Sequence, residues 1–154
     1  GFDIVIETLA TLVRSDRHCV YGIACQVTHE ELRGLYARCA AFIVPGEEDF
    51  GIAAVEALAS GKPVIARARG GSLEIVGSGC GVFFDEPSEE SLSRALLTFE
   101  RVRKDMNPAR NVAEASRFSE SVFDQAFLAA IAEAGGDAAH VKSLTPAKVQ
   151  RISA

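Results

Sequence analysis

The chain has 154 residues, of which 48% are hydrophobic and 24% charged, and this composition is typical of a folded globular domain. A chain of this length buries roughly two thirds of its unfolded surface, so a core can form without metal ions or disulfides. The formal net charge of -5 argues against a broad basic surface that coats nucleic acid or anionic lipid. Without a long apolar run or a secretory leader, we expect a cytoplasmic protein that is not directly inserted into a membrane.

The cysteines also bear on the type of protein. They are Cys19, Cys25, Cys39 and Cys80, and they form no C-x-x-C pair. Histidines at zinc-finger spacing are absent as well, so the sequence predicts no metal site. We expect reduced thiols that are mostly buried.

Short β-branched runs alternate with amphipathic segments, which predicts βα units on a parallel sheet. About four strands are expected, at residues 18–23, 41–45, 64–66 and 81–84. Helices are expected at 51–59, 73–76, 108–117 and 120–134, with two more after the caps at Thr28 and Ser88. Residues 1–135 are predicted to form one domain, with the C-terminal helices packing back across the sheet, and residues 136–154 to form a tail.

Three further helix signals are specific enough to test. Thr28 and Glu31 have the spacing of a capping box, in which each side chain bonds an amide near the other residue. Ser72 and Ser119 are placed to cap the helices that follow them. In the helix after Ser88, an apolar stripe is formed by Leu92, Ala95, Leu96, Phe99 and Val102.

The segment from the second strand into the next helix is the first candidate binding region. The amides of Phe50, Gly51 and Ile52 are expected at the start of the helix, where unpaired N–H groups and the helix dipole favour a phosphate. In open α/β sheets, ligands bind at this end of the strands. The acidic residues of the preceding loop, residues 47–49, have an alternative explanation, since acidic residues near a helix start also complement the dipole without any ligand.

Glu56 is the second candidate, because it lies among small and apolar residues that predict a buried helix. A buried carboxylate is costly unless it is hydrogen-bonded, and the vicinal hydroxyls of a sugar would satisfy it. The alternative is that Glu56 simply faces solvent on a partly exposed helix.

A second glycine-bearing loop follows the strand at 64–66 and contains Gly70 and Gly71. It is expected to open at the same edge of the sheet as the acidic loop, so that both could line one cleft. Alternatively, the two glycines form only a tight turn, and Arg67 and Arg69 are ordinary solvated charges.

Across residues 30–127, an ordered set of motifs is similar to one known domain family. The set comprises E-E-L-R-G-L-Y-A-R-C, the pair Glu48 and Glu56 around F-G-I, A-L-A-S-G-K-P-V-I-A, G-G-S-L-E-I-V, G-C-G-V-F-F and R-F-S-E-S-V-F. It resembles the C-terminal, nucleotide-sugar-binding domain of retaining GT-B glycosyltransferases, in particular glycosyltransferase family four. The resemblance implies a Rossmann-like α/β domain, truncated at its N-terminal side.

The same resemblance implies roles for individual residues. Glu48 would be the catalytic residue beside the donor sugar, and Glu56 would hold the ribose hydroxyls. The Phe50 to Ile52 amides would bind the diphosphate, and Gly70 and Gly71 would complete the donor site. The parent enzyme would transfer a hexose with retention in polysaccharide biosynthesis, without a metal or cofactor. Asp49 resembles the variant found in enzymes proposed to use mannose.

The sequence departs from the family pattern in ways that matter for activity. Family members carry an Arg and a Lys just before the region where residues 1–3 stand, and those cations are missing here. The stretch between residues 12 and 27 is shorter than usual, and the N-terminal acceptor domain is absent. We therefore expect a fragment that is inactive alone and whose partners are a nucleotide sugar and the missing domain, which could also associate it with a membrane.

Two other interpretations remain open at the sequence level. The chain could be a non-catalytic nucleotide-binding or scaffold domain, or a fragment of a GT-B-like sugar-nucleotide epimerase.

Overall fold

A computed structural model describes residues 27–137, 139 and 141 of the chain. They belong to two compact units, the first ending at Ser116 and the second beginning at Arg117. The strand expected at residues 18–23, and with it Cys19 and Cys25, lies outside the described residues. The division of the chain at residue 135 stays a prediction.

Helices and strands alternate along the first unit. They are α1 (His29–Arg38), β1 (Phe42–Val44), α2 (Ile52–Ala59), β2 (Val64–Arg67), α3 (Ser72–Ile75), β3 (Gly81–Phe84), α4 (Glu89–Val102) and α5 (Pro108–Ala115). A turn of 3-10 helix follows α4 at Arg103–Asp105 and another follows α5 at Ser116–Phe118. The second unit contains α6 (Glu120–Glu133).

The three strands of the described region form a parallel sheet in the order β1-β2-β3. Phe42 of β1 is in register with Val64 of β2, which is in register with Gly81 of β3. The central strand β2 is buried from Val64 to Ala66. This is the burial that a continuous apolar run between two neighbours predicts. The predicted α/β fold class is confirmed.

The core forms where α4 packs on the sheet. Ile65 of β2 and Phe84 of β3 meet the buried residues of α4, which are Leu92, Ala95, Leu96 and Phe99. These four belong to the stripe predicted from the sequence, and its fifth member, Val102, is half-buried.

Helix α5 packs mainly against α2, whereas the C-terminal helices were predicted to pack back across the sheet. The buried Asn111 side chain ties the two together, since its Nδ2 donates a hydrogen bond to the Gly61 carbonyl at 3.0 Å. The same packing prediction for α6 stays a prediction. Cys39 is half-buried and Cys80 buried, and both are free thiols, as expected.

The helix caps agree only in part with the sequence. The capping box at α1 is confirmed, because the Thr28 amide donates to Glu31 Oε2 at 2.8 Å and the Glu31 amide donates to Thr28 Oγ1 at 3.2 Å. Ser72 was expected to cap α3 but is its first residue, so that prediction was wrong and Gly71 is the N-cap. Ser119 is the N-cap of α6, but its hydroxyl contacts Ser121 instead of a helix amide.

The capping box makes the stability of the domain depend on pH. Hydrogen bonds from the Thr28 amide and hydroxyl lower the pKa of Glu31 below 4.5. A carboxyl whose pKa is lowered by folding stabilises the protein above its unfolded pKa and loses that effect as the pH falls through its folded pKa. The difference in unfolding free energy between the wild type and Glu31→Ala should therefore be largest near neutral pH and shrink below pH 4.5.

Urea unfolding at a series of pH values measures this difference. Glu30→Ala is the matched control, because Glu30 is an exposed carboxylate in the same helical turn and the substitution has the same helix propensity. A gap between wild type and Glu31→Ala that stays constant down to acidic pH would contradict the prediction.

Candidate functional site

Two loops meet at the carboxyl edge of the sheet, where β1 and β2 end. The acidic loop, residues 45–51, connects β1 to α2, and the glycine loop, residues 68–71, connects β2 to α3. Both strands are parallel, so both loops emerge at the same edge. This is the edge at which the sequence predicts the ligand.

The backbones of the two loops are in direct contact. The Gly71 amide donates a hydrogen bond to the Glu48 carbonyl at 2.7 Å. A Cβ atom at Gly71 would lie 2.5 Å from the carbonyl oxygen of Phe50, and one at Gly70 would overlap that of Glu48. The loops therefore lie side by side, as predicted, and the two glycines do more than form a tight turn, since they permit this approach.

The start of α2 is exposed beside this contact. Gly51 is its N-cap with φ of 90°, a left-handed conformation that favours glycine. The amides of the first helical residues have no acceptor within the helix, which leaves Ile52 and Ala53 as donors at the positive end of the dipole. The side chains of Phe50 and Ile52 are 53% and 66% exposed. Of the three amides expected to bind a phosphate, that of Ile52 lies in the first turn of α2, and phosphate binding stays a prediction.

Glu48 combines a fixed backbone with an exposed side chain. Its carbonyl accepts the bond from Gly71, and its Cβ lies 3.8 Å from the position that a Gly51 Cβ would take. The residue as a whole is exposed. A carboxylate on such a fixed backbone can reach a ligand at this edge without movement of the loop.

The expectation that Glu56 is buried was wrong, since the residue is exposed. Of the eight residues in α2, only Ala54, Ala57 and Leu58 are buried. The buried-helix prediction failed because alanine is tolerated in an exposed position, so a run of alanines does not reveal which face is covered. The cost of burying a carboxylate is therefore no argument for a ribose site here.

Glu56 nevertheless has a partner that the sequence analysis missed. The Tyr36 hydroxyl donates to Glu56 Oε2 at 3.2 Å and lies 3.2 Å from the Ala53 carbonyl oxygen. The Tyr36 ring is buried and meets the Phe42 ring edge-on, with centroids 5.7 Å apart. Burial, reinforced by the charge of Glu56, raises the pKa of Tyr36 to about 12, so its hydroxyl stays protonated and remains a donor at neutral pH.

Two polar atoms near the same edge are buried and have no hydrogen-bond partner among the described residues. They are Nε of Arg67, the last residue of β2, and Oγ of Ser72, the first residue of α3. Arg67 is half-buried with its Nε out of contact with water, so it departs from the interpretation of an ordinary solvated charge, whereas Arg69 is exposed, as that interpretation requires. Such unpaired atoms are uncommon in folded proteins.

In the part of the chain that the structure describes, no three His, Cys, Asp or Glu side chains lie close enough together to hold a metal ion. That the chemistry needs no metal or cofactor stays a prediction. Of the helices between residues 27 and 141 that are described, none is both long and apolar enough to cross a bilayer.

Comparison with known proteins identifies the family. Residues 14–117 match the family described as "Glycosyl transferases group 1", and this match spans more than half of the chain. The chain is a member of that family. No curated protein matched it.

Several solved structures resemble this group 1 domain in fold. HepE from Anabaena, in complex with UDP and glucose, is 25% identical with a TM-score of 0.60, and the match covers 85% of this chain and 37% of HepE. HepE in complex with UDP-glucose gives 24% identity, a TM-score of 0.59, and coverage of 86% and 38%. Sucrose-phosphate synthase from Thermosynechococcus elongatus gives 24%, 0.52, and coverage of 79% and 34%.

These likenesses confirm the predicted GT-B domain fold. The chain spans less than two fifths of the length of each of these proteins.

Proposed function

We propose that the chain is the donor-binding domain of a retaining hexosyltransferase that uses a nucleoside diphosphate sugar. In the reaction, the bond between the anomeric carbon and the diphosphate oxygen breaks, a bond from that carbon to the acceptor hydroxyl oxygen forms, and the hydroxyl proton passes to the departing diphosphate. Membership of the group 1 family supports transfer of a sugar. The observation that carries the donor assignment is the arrangement of the α2 N-terminus and Glu56.

The spacing of these two features along α2 supports the proposal. Glu56 is four positions after Ile52, and a helix rises 1.5 Å per residue, so about 6 Å lies between them along the axis. If a phosphate binds at the Ile52 amide, Glu56 lies beside the part of the ligand that is about one helical turn from that phosphate. In a nucleoside diphosphate, the ribose hydroxyls lie at about this distance from the phosphates. A carboxylate can accept hydrogen bonds from two vicinal hydroxyls.

The two loops have complementary roles in this proposal. The α2 amides and dipole stabilise negative charge on the departing diphosphate, in the manner of an oxyanion hole. Glu48, on its fixed backbone, lies against the sugar and either orients it or stabilises positive charge at the anomeric carbon. Gly70 and Gly71 allow the loops to lie close enough to share one ligand. Because Asp49 resembles the variant found in enzymes proposed to use mannose, the proposed donor sugar is mannose or a related hexose, for use in polysaccharide biosynthesis.

The acceptor is proposed to be bound by a second, N-terminal domain that faces this edge. Three apolar side chains beside the loops are exposed, namely Phe50, Ile52 and Leu73, at 53%, 66% and 57%. An apolar edge of this kind suits contact with another domain or with an acceptor. The short span of this chain relative to HepE supports the same proposal.

A non-catalytic nucleotide-binding domain is the second candidate. The side chains of Glu47, Glu48 and Asp49 are exposed beside the candidate phosphate site, and their negative charge opposes binding of a diphosphate.

The first test is nucleotide binding by the isolated chain. Because charge-assisted contacts to phosphate are few, UDP, GDP or ADP should bind with a Kd on the order of millimolar. On addition of the nucleotide, the NMR chemical shifts of the backbone amides of Phe50, Gly51, Ile52, Ala53 and Glu56 should change. Glu56→Gln should weaken binding of the preferred nucleotide by about 10-fold, because it removes charged hydrogen bonds to hydroxyls.

Glu100→Gln is the matched control. Glu100 is an exposed carboxylate near the C-terminal end of α4, away from the candidate site, and it pairs with Arg103. It should bind like the wild type. Micromolar binding would contradict the expected weakness and would indicate that cations such as Arg67 or Arg69 reach the phosphates. Shifts confined to other parts of the chain would refute the donor site.

A further inference from the structure

The Tyr36 hydroxyl joins a helix that precedes the sheet to the candidate ribose-binding residue. Its oxygen is 3.2 Å from both Glu56 Oε2 and the Ala53 carbonyl oxygen. Both distances exceed the 2.7–2.8 Å typical of O–H···O bonds, so the hydroxyl hydrogen is shared between two acceptors. The hydroxyl therefore links the Glu56 carboxylate to the first turn of its own helix.

Glu56 itself is exposed, and an exposed glutamate loses rotamer freedom when it binds a ligand. Tyr36 is 6% exposed and its ring is held edge-on against Phe42, so its hydroxyl is a fixed point. A bond from this fixed donor limits the rotation of Glu56 before any ligand arrives. The contact uses Oε2, whereas Oε1 has no hydrogen-bond partner among the described residues.

We propose that Tyr36 is a positioning residue, whose hydroxyl holds Oε2 of Glu56 so that Oε1 is presented to the ribose hydroxyls of a nucleotide. This inference rests on the proposed function, since it requires Glu56 to bind ribose. Tyr36 does not touch the nucleotide itself. Its contribution is the ordering of the carboxylate, which favours ligands that carry ribose hydroxyls over ligands that lack them.

The test compares UDP with 2′,3′-dideoxy-UDP, by NMR titration of the full 154-residue chain. The wild type should bind UDP more tightly. Tyr36→Phe keeps the ring and removes only the hydroxyl, so it should weaken UDP binding by about 3- to 10-fold and leave dideoxy-UDP binding unchanged. In a Glu56→Gln background, Tyr36→Phe should have little further effect, because the carboxylate that it orders is gone.

Phe42→Leu separates positioning from packing, since it changes the ring that Tyr36 meets and leaves the hydroxyl in place. It should retain the preference for ribose. If Tyr36→Phe keeps the wild-type preference, weakens both nucleotides equally, or is matched by Phe42→Leu, the positioning role is refuted and the donor site stands. If the wild type does not prefer UDP over dideoxy-UDP, the ribose assignment of Glu56 fails, and the role of Tyr36 fails with it.

Discussion

Changing Glu48 to Gln should reduce sugar transfer by about 100-fold or more in a protein that joins this domain to its acceptor domain. The substitution preserves the volume of the side chain and removes its charge. The backbone of residue 48 should not move, because the Gly71 amide holds its carbonyl through a hydrogen bond. Nucleotide affinity should therefore not fall below the wild-type value, so that the loss appears in kcat and not as a raised KM.

The 154-residue chain alone should be inactive with any donor and acceptor. Transfer requires the acceptor hydroxyl to be held about 3–3.5 Å from the anomeric carbon, and this chain is proposed to supply only the donor side. Steady-state kinetics of the longer protein measure the rate loss of Glu48→Gln. Product analysis tests whether the isolated chain is inactive.

Glu47→Gln is the matched control for Glu48→Gln. It removes the same charge from the neighbouring position of the acidic loop, where Glu47 is also exposed. It should retain most of the rate. Equal losses from both substitutions would indicate a general effect of loop charge, and a longer protein indifferent to Glu48→Gln would refute the catalytic assignment.

The elements of the sheet could be read from the sequence because their signals are local. The strand predicted at residues 81–84 has those bounds in the structure, and the run at 64–66 extends by one residue to Arg67. Likewise, the capping box needs only Thr28 and Glu31, three positions apart. Patterns of this kind depend on backbone geometry and burial, which neighbouring residues determine.

The contacts that shape the candidate site depend on tertiary structure. Tyr36 is 20 positions from Glu56, and no local sequence pattern connects the two residues. The exposure of Glu56 likewise depends on what covers α2, which its own alanines do not determine. The glycine pair 70–71 signals a turn in sequence, whereas the approach of another loop to it becomes visible only in the fold.

Gly71→Ala should destabilise the first unit by about 1–3 kcal/mol and weaken nucleotide binding. The backbone of Gly71 has φ of -59° and ψ of -22°, a conformation in which alanine is ordinarily more stable than glycine. The new Cβ, however, would lie 2.5 Å from the Phe50 carbonyl oxygen and 2.7 Å from that of Asp49. Both are backbone atoms, so the acidic loop must shift and carry the start of α2 with it.

Gly46→Ala is the matched control, because it changes a glycine in the acidic loop whose added Cβ would meet nothing within 4 Å. It should change the unfolding free energy by no more than about 0.5 kcal/mol. Urea unfolding and nucleotide titration of both variants measure the contrast. A Gly71→Ala variant as stable as the wild type would mean that the loops separate at no cost, and their close contact would then not hold the site together.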